Sequence, residues 1–227
     1  MKTKWFAVIS LLTLILTAVW LAFFIWDTAA LGPFETFDQL LALKLNLGTR
    51  HYLIYTATAL LTLCVPAFMV CLYDFCKPYL PKWAALAGLI YVPVYAALNL
   101  FAYLSQITIV PMLLEFYQTE QYTEAAYLLL QATLQLWPGS AVAFFNGLAY
   151  AVLGVPSIIF GFALTKSNRL LGSAGVLLSA SGIASLLAIF SFFVENPILA
   201  WASPFSGLLF CLSLPIFVWG FLQVDRE

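Results

Sequence analysis

Charge is what this chain lacks. Its 227 residues include 9 Lys and Arg and 10 Asp and Glu, so charged side chains make up 8% of the chain, against about 25% in a soluble domain. Too little polar surface is available to cover a water-soluble globule, which excludes a soluble enzyme and a disordered chain. Nine scattered basic residues cannot follow a phosphate backbone, so nucleic acid is excluded as a partner. Histidine occurs once, at His51. A single imidazole with no neighbouring carboxylate or thiolate in sequence is a poor start for a metal site, and no metal is assigned. The four cysteines, Cys64, Cys71, Cys76 and Cys211, all fall within apolar runs or at one end of them. A disulfide scaffold is therefore excluded, and they read as small core hydrophobes. No HExxH, GxGxxG, P-loop or nucleophile elbow occurs, and no cofactor is assigned.

What the chain has instead is long apolar runs, in keeping with 64% hydrophobic residues. A bilayer core about 30 Å thick takes about 20 apolar residues in helix. Six stretches qualify: Trp5–Trp26, Tyr52–Tyr73, Trp83–Leu104, Ala141–Leu164, Leu170–Val194 and Pro204–Leu222. None contains Asp, Glu, Lys, Arg or His, so the ionisable groups usual in proton relays and ion sites are missing. Lipid cannot satisfy unpaired backbone groups, and no alternating strand pattern supports a barrel. The fold class predicted is an all-α, polytopic six-helix membrane bundle in one domain.

Basic residues set the orientation. Lys2, Lys4, Lys77, Lys82, Lys166, Arg169 and Arg226 fall on one side of the spans; the other side has Lys44 and Arg50. That second side collects Asp27, Glu35, Asp38, Glu115, Glu120, Glu124 and Glu195. Both termini are expected in the cytoplasm, with Trp5, Trp83 and Trp219 at the inner interface and Trp26, Trp137 and Trp201 at the outer one. The first apolar run exceeds the about 7–15 residues of a signal peptide, so it is expected to stay as a span.

The even-numbered spans share a pattern. Val65-Pro66, Val155-Pro156 and Leu214-Pro215 are each followed, five residues after the Pro, by Cys71, Gly161 and Gly220. We read three tandem helical hairpins, about 1–78, 79–168 and 169–227, each returning through a Pro-containing helix. Small residues also line up as Ala143, Gly147 and Ala151 in the fourth span, with Gly175, Ser179, Ser181 and Ser185 in the fifth, as packing faces within the chain or in a homo-oligomer.

The outer connections are not featureless. Gly32-Pro33 and Gly48 bracket a leucine-rich segment, the Pro and Gly placed as for a short helix. Tyr122, Ala125, Ala126, Leu129, Leu130, Leu134 and Trp137 form an apolar face opposite Glu120, Glu124, Gln131 and Gln135, ended by Pro138-Gly139. Two short interfacial helices fit, either as a lid over the outer face or as apolar loops. The third span runs on to Pro111 and Glu115, and should either protrude or break near Pro111.

Asn99 and Asn146 are the strongly polar side chains deep in spans, both in the outer third. Thr56 and Thr58 fall in the same layer, and His51, Gln106 and Arg50 just above. Together they suit the floor and rim of a polar pocket opening outward, or two amides that adhere to each other or to backbone. Tyr91, Tyr95, Tyr103, Phe144, Phe145 and Tyr150 flank them and would line an apolar wall. Three functions remain: a binding or accessory protein holding a membrane lipid or apolar small molecule, a small oligomeric transporter or channel subunit, and an intramembrane enzyme using Asp27, Glu115 or His51 at the outer boundary.

Two segments carry a resemblance: Arg169-Leu170-Leu171-Gly172-Ser173-Ala174-Gly175, opening the fifth span, and Ser105-Gln106-Ile107-Thr108, closing the third. With the six-span plan, they resemble bacterial six-span membrane proteins grouped as a domain of unknown function. That resemblance implies a six-helix bundle in a bacterial plasma (inner) membrane and transfers no catalytic residue.

Overall fold

The computed structural model describes residues 2–119 and 122–224; Glu120 and Arg226, counted above in the charge asymmetry, lie outside them. The described chain is helical, without strands. Six helices are long and apolar enough to cross a membrane: α1 (Lys2–Leu31), α3 (Thr49–Cys76), α4 (Lys82–Gln118), α6 (Ala141–Leu164), α7 (Arg169–Ala188) and α8 (Pro197–Val224). Two short helices, α2 (Phe37–Lys44) and α5 (Thr123–Thr133), sit at one end. We call that end the cap side and the other, where α1 starts and α8 ends, the terminal side. The chain is thus an integral membrane protein.

Local chemistry sets the helix starts. Thr36 and Gln39 form a reciprocal capping box at α2, and Gly32, with φ +69°, makes the turn before it. Gly48 does not close α2; it precedes α3 as its N-terminal cap. Ser140 and Asn168 cap α6 and α7 by accepting from Ala143 and Leu171 backbone N–H groups, both at 2.9 Å. α7 tightens into a 3₁₀ turn over Ile189–Phe192, short of the expected end at Val194. α8 starts at Pro197 rather than Pro204, since Pro is well tolerated in a first helical turn.

The 37-residue α4 runs unbroken through Pro93 and Pro111. At 1.5 Å per residue it is about 55 Å long, more than a bilayer about 40–45 Å thick with its headgroups. It therefore protrudes. Around its protruding end, Val110, Leu113 and Leu114 pack with Phe37 and Leu41 of α2 and with Leu130 and Leu134. Both outer segments are helices of a small cap with its own core. The buried stripe of α5 is narrower than expected: Ala126 and Leu130 are buried with Leu134 after it, whereas Tyr122, Ala125 and Leu129 are exposed. One neighbouring surface, that of α4 and α2, covers only one turn-spaced row of α5.

The six long helices close a ring in chain order: α1 on α3, α3 on α4, α4 on α6, α6 on α7, α7 on α8, and α8 back on α1. In its terminal-side half all six helices contribute to one core, which includes Phe6, Phe68, Leu72, Val92, Phe160, Leu171, Phe217 and Phe221. Trp5, Trp83 and Trp219 stand exposed at this end, as lipid-facing anchors do. The α6–α7 seam is the tightest. A Cβ on Gly182 would lie 2.5 Å from the Gly154 carbonyl oxygen, and one on Gly175 2.5 Å from that of Gly161. On α6 the glycines that meet α7 are Gly154 and Gly161, seven residues apart, while Gly147 meets Phe192 in the turn after α7. Ser181 and Ser185 turn to α8, where both bond the Ser206 hydroxyl, at 3.2 and 2.6 Å.

Candidate functional site

Polar side chains gather in the cap-side half of α3, α4 and α6, and their helical spacing puts them there. On α3, His51, Tyr55, Thr58 and Thr62 recur three or four residues apart; on α4, Tyr95, Asn99, Tyr103 and Gln106 do the same; on α6, Asn146 and Tyr150 do. Each row forms one face, and the three faces meet.

The deepest layer is built on threonine. Thr58 donates to the Ile54 carbonyl at 2.6 Å and Thr62 to the Thr58 carbonyl at 2.9 Å. Asn99, with no exposed surface, donates from Nδ2 to Thr62 Oγ1 at 3.2 Å and to the Tyr95 hydroxyl at 3.1 Å. Above it the Tyr103 and Tyr150 hydroxyls share a hydrogen bond of 2.8 Å between α4 and α6. The Tyr55 ring lies 6.3 Å from Tyr103, and His51 packs on Tyr55 at 4.8 Å. His51 then donates from Nε2 to the Gln106 carbonyl at 2.8 Å. From His51 to Thr62 this seam is eleven residues of α3, about 16 Å.

Gln106 ties the seam to the cap. Its amide donates to the Thr133 carbonyl at 2.8 Å, and its Oε1 accepts the Gln135 backbone N–H at 3.2 Å. Gln135 thus turns inward, against its expected place on the polar face. Beside this junction Lys44, 4% exposed, pairs with Asp27 at 3.5 Å. Burial, the largest influence, pulls the Lys44 ammonium below the usual lysine range even though Asp27 pushes it up. Arg50 stacks over the Trp26 ring at 5.5 Å.

Among the described residues, four buried side-chain polar atoms have no hydrogen-bond partner: His51 Nδ1, Asn99 Oδ1, Gln135 Oε1 and Asn146 Oδ1. An orphaned buried polar atom costs about 1–3 kcal/mol, so each calls for a partner. Asn146 stands within about a turn of Asn99 in depth. Phe101 against Phe145 (6.0 Å) and the close meeting of Gly88 with Phe160 set this antiparallel register. The two amides do not bond each other, since both oxygens are unpartnered.

Of the residues singled out from sequence, the seam brings together Asn99, Thr58, His51 and Gln106, with Asn146 half-buried at its α6 edge. Thr56 is exposed on the other face of α3. Tyr95, Tyr103 and Tyr150, expected as apolar wall, contribute their hydroxyls instead, and Tyr91 is exposed. The spacing Tyr95-Asn99-Tyr103 was the signal that could have shown this. Glu115 lies on the exposed surface of the protruding helix, while Asp27 is committed to Lys44.

Two surface depressions lie elsewhere. One of about 370 Å³ is lined by Tyr117, Thr123, Glu124, Tyr127 and Leu128 on the cap. A larger one of about 670 Å³, almost wholly apolar, lies between the cap-side ends of α7 and α8 around Ala184, Trp201 and Phe205. No family model matches this chain, and neither a curated protein nor a solved structure is significantly similar to it.

Proposed function

We propose that this membrane protein is a binding protein that holds a lipid or other amphiphile by its polar group in the cap-side seam of α3, α4 and α6. The observation that carries this reading is the set of three unpartnered buried polar atoms on the seam helices, His51 Nδ1, Asn99 Oδ1 and Asn146 Oδ1, with Gln135 Oε1 a fourth at the junction with the cap. Packing alone does not account for them, because leaving such atoms unpaired opposes folding. A bound molecule supplies their partners.

Holding suits the seam better than passage. Beneath Thr62 and Tyr95 the ring is filled by Phe68, Met69, Leu72, Phe160, Phe217 and Phe221, all without exposed surface. The buried hydroxyls at that depth, Ser10, Ser157 and Ser213, each donate to a carbonyl of their own helix, so a polar solute would find few polar partners on that path. The same proposal puts the protein in a bacterial plasma membrane with both termini cytoplasmic and the seam opening outward, on the strength of Lys4, Lys77, Lys82, Lys166 and Arg169 at the terminal side. It includes the plan of three tandem hairpins, supported by Gly161 and Gly220. These follow Pro156 and Pro215 at the same offset and both meet α7.

Native mass spectrometry of protein released in mild detergent tests the reading. A reproducible adduct of defined mass on the monomer is the expected result, weakened by Asn146→Leu. A bare and stable oligomer that supports solute flux in proteoliposomes would replace binding with transport.

A further inference from the structure

The chemistry of the unpartnered atoms narrows what the seam takes. At Asn99 the neighbours settle which way the amide points. The one proton of Thr62 goes to the Thr58 carbonyl, so Thr62 Oγ1 faces Asn99 as an acceptor and the Asn99 NH₂ must be turned to it. The orphan is therefore the amide oxygen, an acceptor. At His51 the Gln106 carbonyl can only accept, so Nε2 carries the proton of the neutral ring and Nδ1 is left bare, again an acceptor. Asn146 Oδ1, within about a turn of Asn99 in depth, adds a third.

Among the described residues, no positive charge lies at the depth of Asn99 and Asn146 to meet an anion there. Beside Asn99 and Asn146 the described spans hold no Lys or Arg, and Arg50 stands next to His51 at the top of the seam. The nearest cations in sequence, Lys44 and Arg50, are engaged by Asp27 and Trp26 at the top of the seam. A phosphate or carboxylate brought to Asn99 would face its amide oxygen with only neutral phenol O–H groups to donate and no counter-charge, at a large desolvation cost. A hydroxyl loses little by leaving water and can donate to the waiting oxygen.

We infer that the seam recognises an uncharged hydroxyl group on an apolar chain, a lipid alcohol, whose O–H donates to Asn99 Oδ1 or Asn146 Oδ1 while the chain lies among the flanking aromatic and aliphatic side chains. This rests on the binding reading above and adds the class of ligand.

The test uses the intact protein in nanodiscs and three probes sharing one chain: oleyl alcohol, oleyl methyl ether and oleate. The alcohol is expected to be retained at least tenfold more tightly than the ether, which keeps the oxygen but has no proton to give, and more tightly than oleate. Asn146→Leu, at a half-buried position, should reduce the preference for alcohol over ether at least threefold in the protein that remains folded. Equal retention of alcohol and ether, or tighter retention of oleate, would overturn the inference and leave the binding reading standing. If none of the three is retained and no native adduct is found, the binding reading itself fails, and the ligand class with it.

Discussion

The two ends of the helix ring are built on different rules. On the terminal side one aromatic core takes side chains from all six long helices, with Phe217 edge-on to Phe68 at 5.2 Å and stacked on Phe221 at 5.9 Å. On the cap side the contacts separate. Ile54, Tyr55, Ala59 and Tyr103 make a small cluster of α3 and α4 with Trp20 and Phe23 of α1, while α7 and α8 hold together through Ser181, Ser185 and Ser206. The seam of unpartnered acceptors runs in this half. A bundle that is welded at one end and polar at the other can order a ligand at the polar end without unfolding, because the weld keeps the ring closed. Stability and binding are thereby assigned to different layers of the same helices.

The comparison breaks most sharply at Phe217. Its side chain has no exposed surface, and Phe217→Ala would leave a cavity amid Phe68, Phe221 and Leu72. A loss of about 3–5 kcal/mol is expected, read from denaturant unfolding in detergent, with ligand preference unchanged in the protein that remains folded. A small loss would mean that the terminal-side core is not what holds the ring. Next in size is Gly182→Ala. Its new methyl group would meet the Gly154 carbonyl oxygen, part of a backbone that cannot turn aside. Overpacking of this kind costs about 1–3 kcal/mol. Thermal unfolding of Gly182→Ala beside Gly207→Ala, where a Cβ meets nothing within 4 Å, would separate crowding from loss of glycine itself.

On the seam the expected stability effects are smaller and the ligand effects larger. Tyr103→Phe removes the hydrogen bond to Tyr150. Within a membrane such a bond contributes about 0.6 kcal/mol, so stability should hardly move. Ligand retention should nonetheless fall, because the hydroxyl pair lies between Asn99 and the His51–Gln106 junction. A variant that lost stability and kept the ligand would place the seam with the packing machinery instead.

Much of the ring was legible in the sequence, and the unread part has a physical reason. Six apolar runs free of charge fix the spans, because a bilayer reads length and polarity alone. Asn99 and Asn146 stood out for the same reason, as polar groups where polarity is costly, and His51 and Gln106 as polar groups just above them. The tyrosines did not stand out, since 17% of the chain is aromatic and a phenol can turn either its ring or its hydroxyl inward. Of the small residues read as packing faces, Gly175 and Ser179 do meet α6 at Gly161, while the second close approach, Gly154 against Gly182, lies seven residues away along each helix and was not singled out, because two antiparallel helices come back into register every two turns. Closure of α8 on α1 leaves no trace in local pattern. Neither does the Lys44–Asp27 pair, whose partners come from separate helices.

That pair supplies the smallest effect expected and the finest discrimination between the two ends. Lys44 is buried, and burial is the larger influence on it, so the ammonium form is disfavoured in the folded protein relative to the unfolded chain. Between its lowered folded pKa and the ordinary value of 10.5 the unfolded chain binds more protons than the fold. Stability on account of Lys44 must therefore rise with pH through that window and be lowest beneath it. Lys44→Met should flatten this rise. It should also leave Asp27, which is 14% exposed, without its partner at neutral pH, whereas Lys44→Met combined with Asp27→Asn should recover most of the loss. Unfolding followed between pH 7 and 10.5 in the three variants would measure both terms. An unchanged slope in Lys44→Met would mean that the cap opens before the bundle does, making the cap side a separately melting unit above the welded ring.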